Sequence, residues 1–458
     1  MDKILWEKIA AFDLDDPISE YGFSTRLAAE NFWTQDFTRK AILEYKKFMY
    51  LAGTSSFMVS PSEIVDTVWH QHLIFTKSYA DLCDLIGKAI QHIPSTHNRE
   101  DFEKFQQAKE RTKKLYADTF GQQPREIWEY AGMYEALRLP KAKYKIRTFV
   151  IFAMLVTIVS LIPFYFLLKP VYIHIDNPYF LIGYSILAIA SGVGLHEFNK
   201  WRLTTIVKGF KRFTFIHHLD PMELVYLKTQ KLANVVHGNV SQLIDENMIE
   251  VVKTDNALKL NPDAKPENVE QYTIFEELKD REQREYPLLL RTLTSKPAFS
   301  NISNSMDAFK KYFSKSTVFG KLFYLNFAVY AFLILLGFVR LSTGLMRDKE
   351  VANLVIVLFV LTYGAGYYLV RLTKLVCINT IPAFYENEIL PTKENRKDWS
   401  WRFFVMGPAV LSTTFFPVVK DFDSALNNDS SSWDSSSSSS CGSSCGSSCS
   451  SCGGCGGD

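Results

Sequence analysis

The stretch TFVIFAMLVTIVSLIPFYFLL, residues 148–168, contains no charged side chain. A helix needs about 20 apolar residues to cross the hydrocarbon core of a bilayer. Three further runs of this kind follow: PYFLIGYSILAIASGVGL at 178–195, LFYLNFAVYAFLILLGFV at 322–339 and VANLVIVLFVLTYGAGYYLV at 351–370. Inside lipid every backbone N–H and C=O must find its partner within the protein, so runs like these fold as helices. They predict a mainly α, polytopic helical membrane protein. Pro163 lies within the first run, where a kink is tolerated. Tyrosines at several ends suit the membrane–water interface.

A fifth segment, FFVMGPAVLSTTFFPVV at 403–419, is short, contains Pro408 and Pro417, and is rich in Ser and Thr. It is read as an interfacial or re-entrant segment in preference to a fifth span. The choice decides which side of the membrane holds the C-terminal tail.

Cations near span ends set orientation. Lys141, Lys143, Lys145 and Arg147 precede the first run, and Lys200, Arg202, Lys208, Lys211 and Arg212 follow the second. Lys310, Lys311, Lys315 and Lys321 precede the third, and Arg371 and Lys374 follow the fourth. The loop joining the first two runs has only Lys169, whereas that joining the last two carries Arg340, Arg347 and Lys349 and weakens the asymmetry. The pattern puts the N-terminus and the 196–321 region in the cytoplasm of a bacterial inner membrane protein. The opening MDKILWEKIAAFDLDD has acids and no apolar core of a signal peptide. Net charge is +2, so no global field points to nucleic acid.

Residues 1–140 read as a helical domain. Ser24 is placed to cap a short helix, and Gly53 to end a long one at 36–51. Ser60, Pro61 and Glu63 form a capping-box pattern that starts a helix running to about Ile86 and stopping at Gly87. Within it lies VDTVWHQHLIFTKSYADLC, residues 65–83. At about 100° per residue, Asp66 and His70 share a face, and His72 points away. Asp66 and His70 form half a metal site that needs a third ligand such as His92 or His97. The alternative is a carboxylate that fixes an imidazole tautomer. His72 belongs with Trp69, Thr76, Tyr79 and Cys83, a face that reads as core. His72 and Cys83 lie about 16 Å apart along the axis, too far for a catalytic dyad. Asp66, His70, His72 and His92 are the candidate metal ligands of this region.

That stretch, with IQHIPS and KLYADTFGQQPREIW after it, resembles the helical domain of the glycine-rich domain-containing proteins over roughly residues 20–130. The resemblance rests on Asp66, Trp69, His70, His72, Thr76, Tyr79, Cys83 and the His92-Ile93-Pro94 run. It implies a helical domain with a shared polar cluster and no established chemistry.

In the middle region, LDPMELVYLKT (219–229) opens with the capping signature Asp220, Pro221, Glu223, and KLANVVHGNVSQLIDENM (231–248) is a second amphipathic helix. IEVVKTDNALKLNP (249–262) reads as two strands about a Thr-Asp-Asn turn, a winged-helix-like order. Residues 267–295 read as helical. The second helix has Lys231 alone among cations, and carries Asp245 and Glu246, so it is a poor DNA reader. His217-His218 reads as a solvated pair. Residues 145–458 look like a bacterial membrane-protein family of unknown function, with a winged-helix-like insert and a low-complexity tail; LDPMELVYL and SQLIDENMIEV carry the likeness.

The tail, 427–458, is dominated by Ser, Gly and Cys and cannot bury a core. Cys441, Cys445, Cys449, Cys452 and Cys455 recur at spacings that suit a flexible ligand for zinc or another soft metal, or redox chemistry. The expectation is a membrane-anchored, non-enzymatic binding or scaffold protein that contacts the lipid bilayer and a protein partner, and responds to metal or redox state through the tail. The alternative is a membrane enzyme, or part of a peptide-modification or export system, working through Asp66, His70 and His72.

Overall fold

The computed structural model describes residues 1–93, 99–252, 256–280 and 283–420. The tail cysteines, His97 and part of the Thr-Asp-Asn turn lie outside the described residues.

The N-terminal module consists of α1 (Lys3–Ala11), α2 (Phe23–Asn31), α3 (Gln35–Thr54), α4 (Glu63–Ile74), α5 (Thr76–Ile86), α6 (Arg99–Phe120) and the single turn α7 (Arg125–Trp128). In α3, Thr34 caps the N-terminus, and Phe37, Ala41, Tyr45 and Phe48 face the core at three- and four-residue spacing. The buried Glu44 on the same helix accepts hydrogen bonds from Lys47, Tyr116 and Trp128, each at 2.7 Å. This ties α3 to α6 and α7 and satisfies a carboxylate that burial would otherwise penalise.

Four local expectations need correction. Ser24 does not cap α2: Gly22 holds that position, and the Ser24 N–H donates to Asp15 instead. Gly53 lies inside α3, which continues to Thr54. A Cβ there would sit 2.2 Å from Ile86 Cγ2, so the glycine permits the close approach of α5. The cap of α4 is Ser62, whose Oγ accepts from Val65 N, while the Ser60 N–H turns to Thr112. The helix expected from 61 to 86 is in fact two, broken at Phe75 (φ −87°, ψ 63°), whose ring packs edge-on against Phe23. Gly87, at φ 76°, does end α5.

Four helices are long and apolar enough to cross a membrane: α8 (Ile146–Tyr172), α9 (Asn177–Lys208), α15 (Thr317–Leu345) and α16 (Ala352–Leu375), the last continuing through two π-helical turns to Ile389. Helix α15 packs on the other three. Within the most apolar part of α8 no side chain is fully buried, and Ile151, Phe152, Leu155, Val159, Ile162 and Phe166 are exposed. Asn199 of α9 and Asn326 of α15 exchange amide hydrogen bonds (2.8 and 2.9 Å), and Asn199 also donates to Tyr368. At the other end of the bundle, Arg340 donates to the carbonyls of Tyr172 and Ile175, and Arg347 reaches that of Ile173. Arg340, which lies inside α15 and not in the loop expected after residue 339, and Arg347 beyond it thus hold backbone carbonyls at and just after the end of α8.

The middle region holds α10 (Pro221–Thr229), α11 (Leu232–Asp245), β1 (Ile249–Val252), β2 (Ala257–Leu260), α12 (Val269–Lys279), β3 (Arg284–Glu285), α13 (Tyr286–Ser295) and α14 (Pro297–Ser314). Asp220 and Glu223 close a capping box with Pro221 at N1. The strands form an antiparallel sheet in the order β1-β2-β3, with Ile249 opposite Leu260 and Ala257 opposite Glu285. The stretch expected to be helical at 267–295 is interrupted by β3.

Residues 403–419 lie against the middle region. After a single turn α17 (Ile381–Phe384), α18 (Trp399–Met406) and the irregular segment beyond it pack onto the middle region. Trp401 stacks on Tyr385, Phe415 meets Tyr286 edge-on at 4.9 Å, and Phe403 occupies the space a Cβ on Gly238 would fill. Phe403, Phe404 and Phe415 are core, whereas Val405, Met406 and Phe416 are exposed.

The N-terminal and middle regions share one continuous hydrophobic core. Helix α14 packs on α2, Lys296 pairs with Glu20 (2.8 Å), Asn301 donates to Thr25 O, and the Gln35 N–H donates to Glu223.

Candidate metal centre

Helix α4 begins at Ser62, so Asp66 stands in its first turn, where the helix dipole favours a negative charge. His70, four residues on, lies above it on the same face. The break at Phe75 then lets α5 fold back, and Gly87 turns the chain so that residues 88–92 return across α4. A short relay fixes that return: Trp69 Nε1 donates to the Tyr79 hydroxyl (3.1 Å), and Tyr79 donates to the Ile90 carbonyl. Burial pushes the Tyr79 phenol up to about 12, keeping the donated proton in place at any physiological pH. Lys88 anchors the same loop to the end of α3 through the Ala52 and Ser55 carbonyls.

The result brings His92 to Asp66. His92 Nε2 lies 3.0 Å from Asp66 Oδ1, and His70 Nε2 lies 4.0 Å from Asp66 Oδ2. The two imidazoles are 4.4 Å apart centre to centre, and Trp69 packs edge-on against His92 at 4.6 Å. One ligand atom from each of Asp66, His70 and His92 falls within 4.8 Å of the others. Donors around a tetrahedral zinc ion stand ~3.3 Å apart, so small rotations of these side chains would bring all three onto one ion. His70 is largely exposed (57 %) and His92 is mostly covered (16 %), so the open side of the cluster faces solvent.

His72 does not join them. It is fully buried, with Nδ1 2.8 Å from the Tyr45 hydroxyl and Nε2 3.0 Å from Ser78 Oγ. Both ring nitrogens are used, and desolvation lowers its pKa to about 4, so it is neutral. Its inclusion among the candidate ligands is corrected by this geometry. Cys83 is buried in the core, as its helical face implied. His217 and His218 each bond a backbone carbonyl, and burial lowers both pKa values, contrary to a solvated pair.

A cleft of about 350 Å³ adjoins the cluster, lined by Asp66, Trp69 and His92 and by Phe48, Phe57 and Val59. A larger cavity, about 520 Å³, lies between the N-terminal and middle regions and is lined by Asp15, Asp220, Glu223, Glu270 and Arg39 among others. Its acids are engaged in holding the regions together: Asp220 caps α10, Glu223 accepts from Gln35 N and Asp220 N, and Gln35 Nε2 donates to Glu270. Sequence reasoning missed this junction, because its partners are far apart in the chain. The Trp69–Tyr79 relay was nearer to hand, since both residues lay in the quoted stretch.

The chain is similar to two curated proteins of Arabidopsis thaliana. It is 26% identical to Glycine-rich domain-containing protein 1 over 136 residues, 28% of this chain and 16% of that protein. It is 28% identical to Glycine-rich domain-containing protein 2 over 103 residues, 21% of this chain and 13% of that protein. The chain thus spans less than a fifth of the length of either relative. No protein-family model and no solved structure matches.

Proposed function

We propose that the chain is a membrane-anchored, non-enzymatic binding protein whose helical N-terminal module holds one divalent metal ion, with zinc the expected species, at Asp66, His70 and His92. The observation that carries this is the convergence of a carboxylate and two imidazoles, two from one helix face and one from a loop returned by a dedicated hydrogen-bond relay. Nitrogen and oxygen donors suit zinc and its divalent neighbours. The membrane is a bacterial inner membrane, with the N-terminus and middle region in the cytoplasm; the Lys and Arg clusters flanking the four long helices support this orientation. The tail thiols respond to soft metals or redox state, and residues 145–458 belong with bacterial membrane proteins carrying similar tails. A protein partner is expected and nucleic acid is not, since α11 buries Val235, Val236, Val240 and Leu243 and has few cations.

A membrane enzyme, or a component of a peptide-modification or export system, is the second reading. The apolar cleft beside Asp66 and His92 favours it, because three protein ligands leave a coordination position free for substrate.

The test uses the full chain with its five tail cysteines changed to serine, loaded with zinc and dialysed. Metal analysis is expected to find about one equivalent per chain, lost in Asp66→Ala and in His70→Ala/His92→Ala and kept in His72→Gln, with circular dichroism unchanged. Absence of bound metal in the parent chain would reduce the cluster to a structural Asp–His pair and remove this reading.

A further inference from the structure

A second cleft, about 320 Å³, opens between α9 and α15 where the membrane-crossing helices meet the water-facing modules. Its walls are Phe198 and Arg202 from α9, and Val318, Lys321, Leu322 and Leu325 from α15, with no acid in its lining. The spacing 198/202 and 318/322/325 puts each set on one helix face. The Asn199–Asn326 amide pair fixes the register of these antiparallel helices. From that pair, Arg202 and Lys321 each lie about one turn toward the water-facing modules, and so stand at similar depth. Phe198 and Leu325, both exposed, lie level with the pair and deeper along the spans. Arg202 and Lys321 therefore stand midway along the cleft, with Phe198 and Leu325 on their inner side and Val318 and Pro140 on their outer side.

Both cations are exposed and make no ion pair with the described residues. The neighbouring cavity on the other side of α9 differs. It holds His196, Lys200 and Lys228, but Lys228 is paired with Glu386 at 2.8 Å within the same cavity. The α9–α15 cleft combines two cations, no acid and an apolar wall, whereas the neighbouring cavity includes Glu386 in its lining. Pro140 closes its outer end, where the Thr317 N–H donates to the Pro140 carbonyl and holds the linker against the start of α15.

We propose that this cleft is a binding site for an anionic phospholipid. Its phosphate and acidic headgroup lie against Arg202 and Lys321, and an acyl chain follows Phe198 and Leu325 toward the bilayer centre. Charge complementarity selects the anionic headgroup, and the apolar wall selects a lipid over a soluble phosphate. The inference rests on the membrane placement proposed above and is independent of the metal.

The test is native mass spectrometry of the full chain, released from detergent after equilibration with equal amounts of phosphatidylglycerol and phosphatidylcholine of matched chains. The parent chain is expected to retain phosphatidylglycerol about tenfold over phosphatidylcholine, from two surface cations. Arg202→Gln/Lys321→Gln should lose that preference. Lys143→Gln/Lys145→Gln, which removes equal charge outside the cleft, should keep it. Equal loss in both variants would show a diffuse basic surface and overturn the site. Displacement of the lipid by inorganic phosphate alone would make it a phosphate site and overturn the lipid assignment. Extraction of the parent chain from membranes by alkaline carbonate would overturn the membrane placement itself, a failure read separately from lipid selectivity.

Discussion

Glu223 and His237, two buried side chains of the middle region, titrate in opposite senses. Burial, reinforced by nearby Asp220, pushes the Glu223 carboxyl up to about 8 from its ordinary 4.5. The folded chain then keeps a proton that the unfolded chain releases, so stability falls as pH rises from about 4.5 to 8. Burial, with Lys231 adding to it, lowers His237 to about 4 from 6.5, and the neutral ring bonds the Tyr286 hydroxyl. Here the unfolded chain takes up the proton, so stability falls as pH drops from about 6.5 to 4, by ~3 kcal/mol in all. Thermal melts in detergent across this range should show loss on both sides. Glu223→Gln should flatten the alkaline limb and His237→Gln the acid limb. An alkaline limb that survives Glu223→Gln would exclude that carboxyl as its source. Both residues are ordinary letters in the sequence; their shifts come from what covers them.

Among the elements, the segment from Trp399 to Val419 changes most between sequence and structure. By composition it suits an interface or a membrane; in the fold Trp401, Phe403, Phe404 and Phe415 fill the core of the middle region, while Phe416 stays exposed. Phe415 is fully buried against Tyr286. Phe415→Ala should therefore lower stability by about 3–5 kcal/mol, the range for emptying a buried aromatic site. Denaturant unfolding of the detergent-solubilised chain, followed by tryptophan fluorescence, would measure it. A loss below about 1 kcal/mol would mean the ring is not packed as described, as expected of a lipid-facing side chain. The break between α4 and α5 is a subtler case. No Gly or Pro marks Phe75, so nothing local signals it, yet the break folds α5 back and lets His92 reach Asp66.

Taken as a whole, the molecule has one body, outside the four long apolar helices, built from three separated stretches of chain. Residues 1–140, the middle region and 399–419 share a core that a bilayer could not divide. If α8 and α9 cross a bilayer as one hairpin and α15 and α16 as another, all three stretches return to one side. Single cysteines placed at exposed Lys8, Lys259 and Lys349, in a chain whose tail cysteines are serine, test this. An impermeant maleimide should treat Lys8→Cys and Lys259→Cys alike and Lys349→Cys oppositely in intact cells. Different labelling at the first two positions would break the single-body architecture.

Local pattern decided what local pattern can decide. The four apolar runs, the Asp220 capping box, the Gly87 stop, the hairpin at 249–260 and the shared face of Asp66 and His70 depend on residues a few positions apart, and all were legible in the sequence. His92 was legible only as one of two loop histidines, because loop closure depends on the Trp69–Tyr79–Ile90 bonds. Other features rest on contacts between distant residues: Gly53 under Ile86, Glu44 beneath Tyr116 and Trp128, Glu223 against Gln35, and Phe403 over Gly238. Hydrophobicity and helix period say that a side chain will be buried, and tertiary packing alone chooses the surface that buries it. For Phe403, Phe404 and Phe415, that surface was protein.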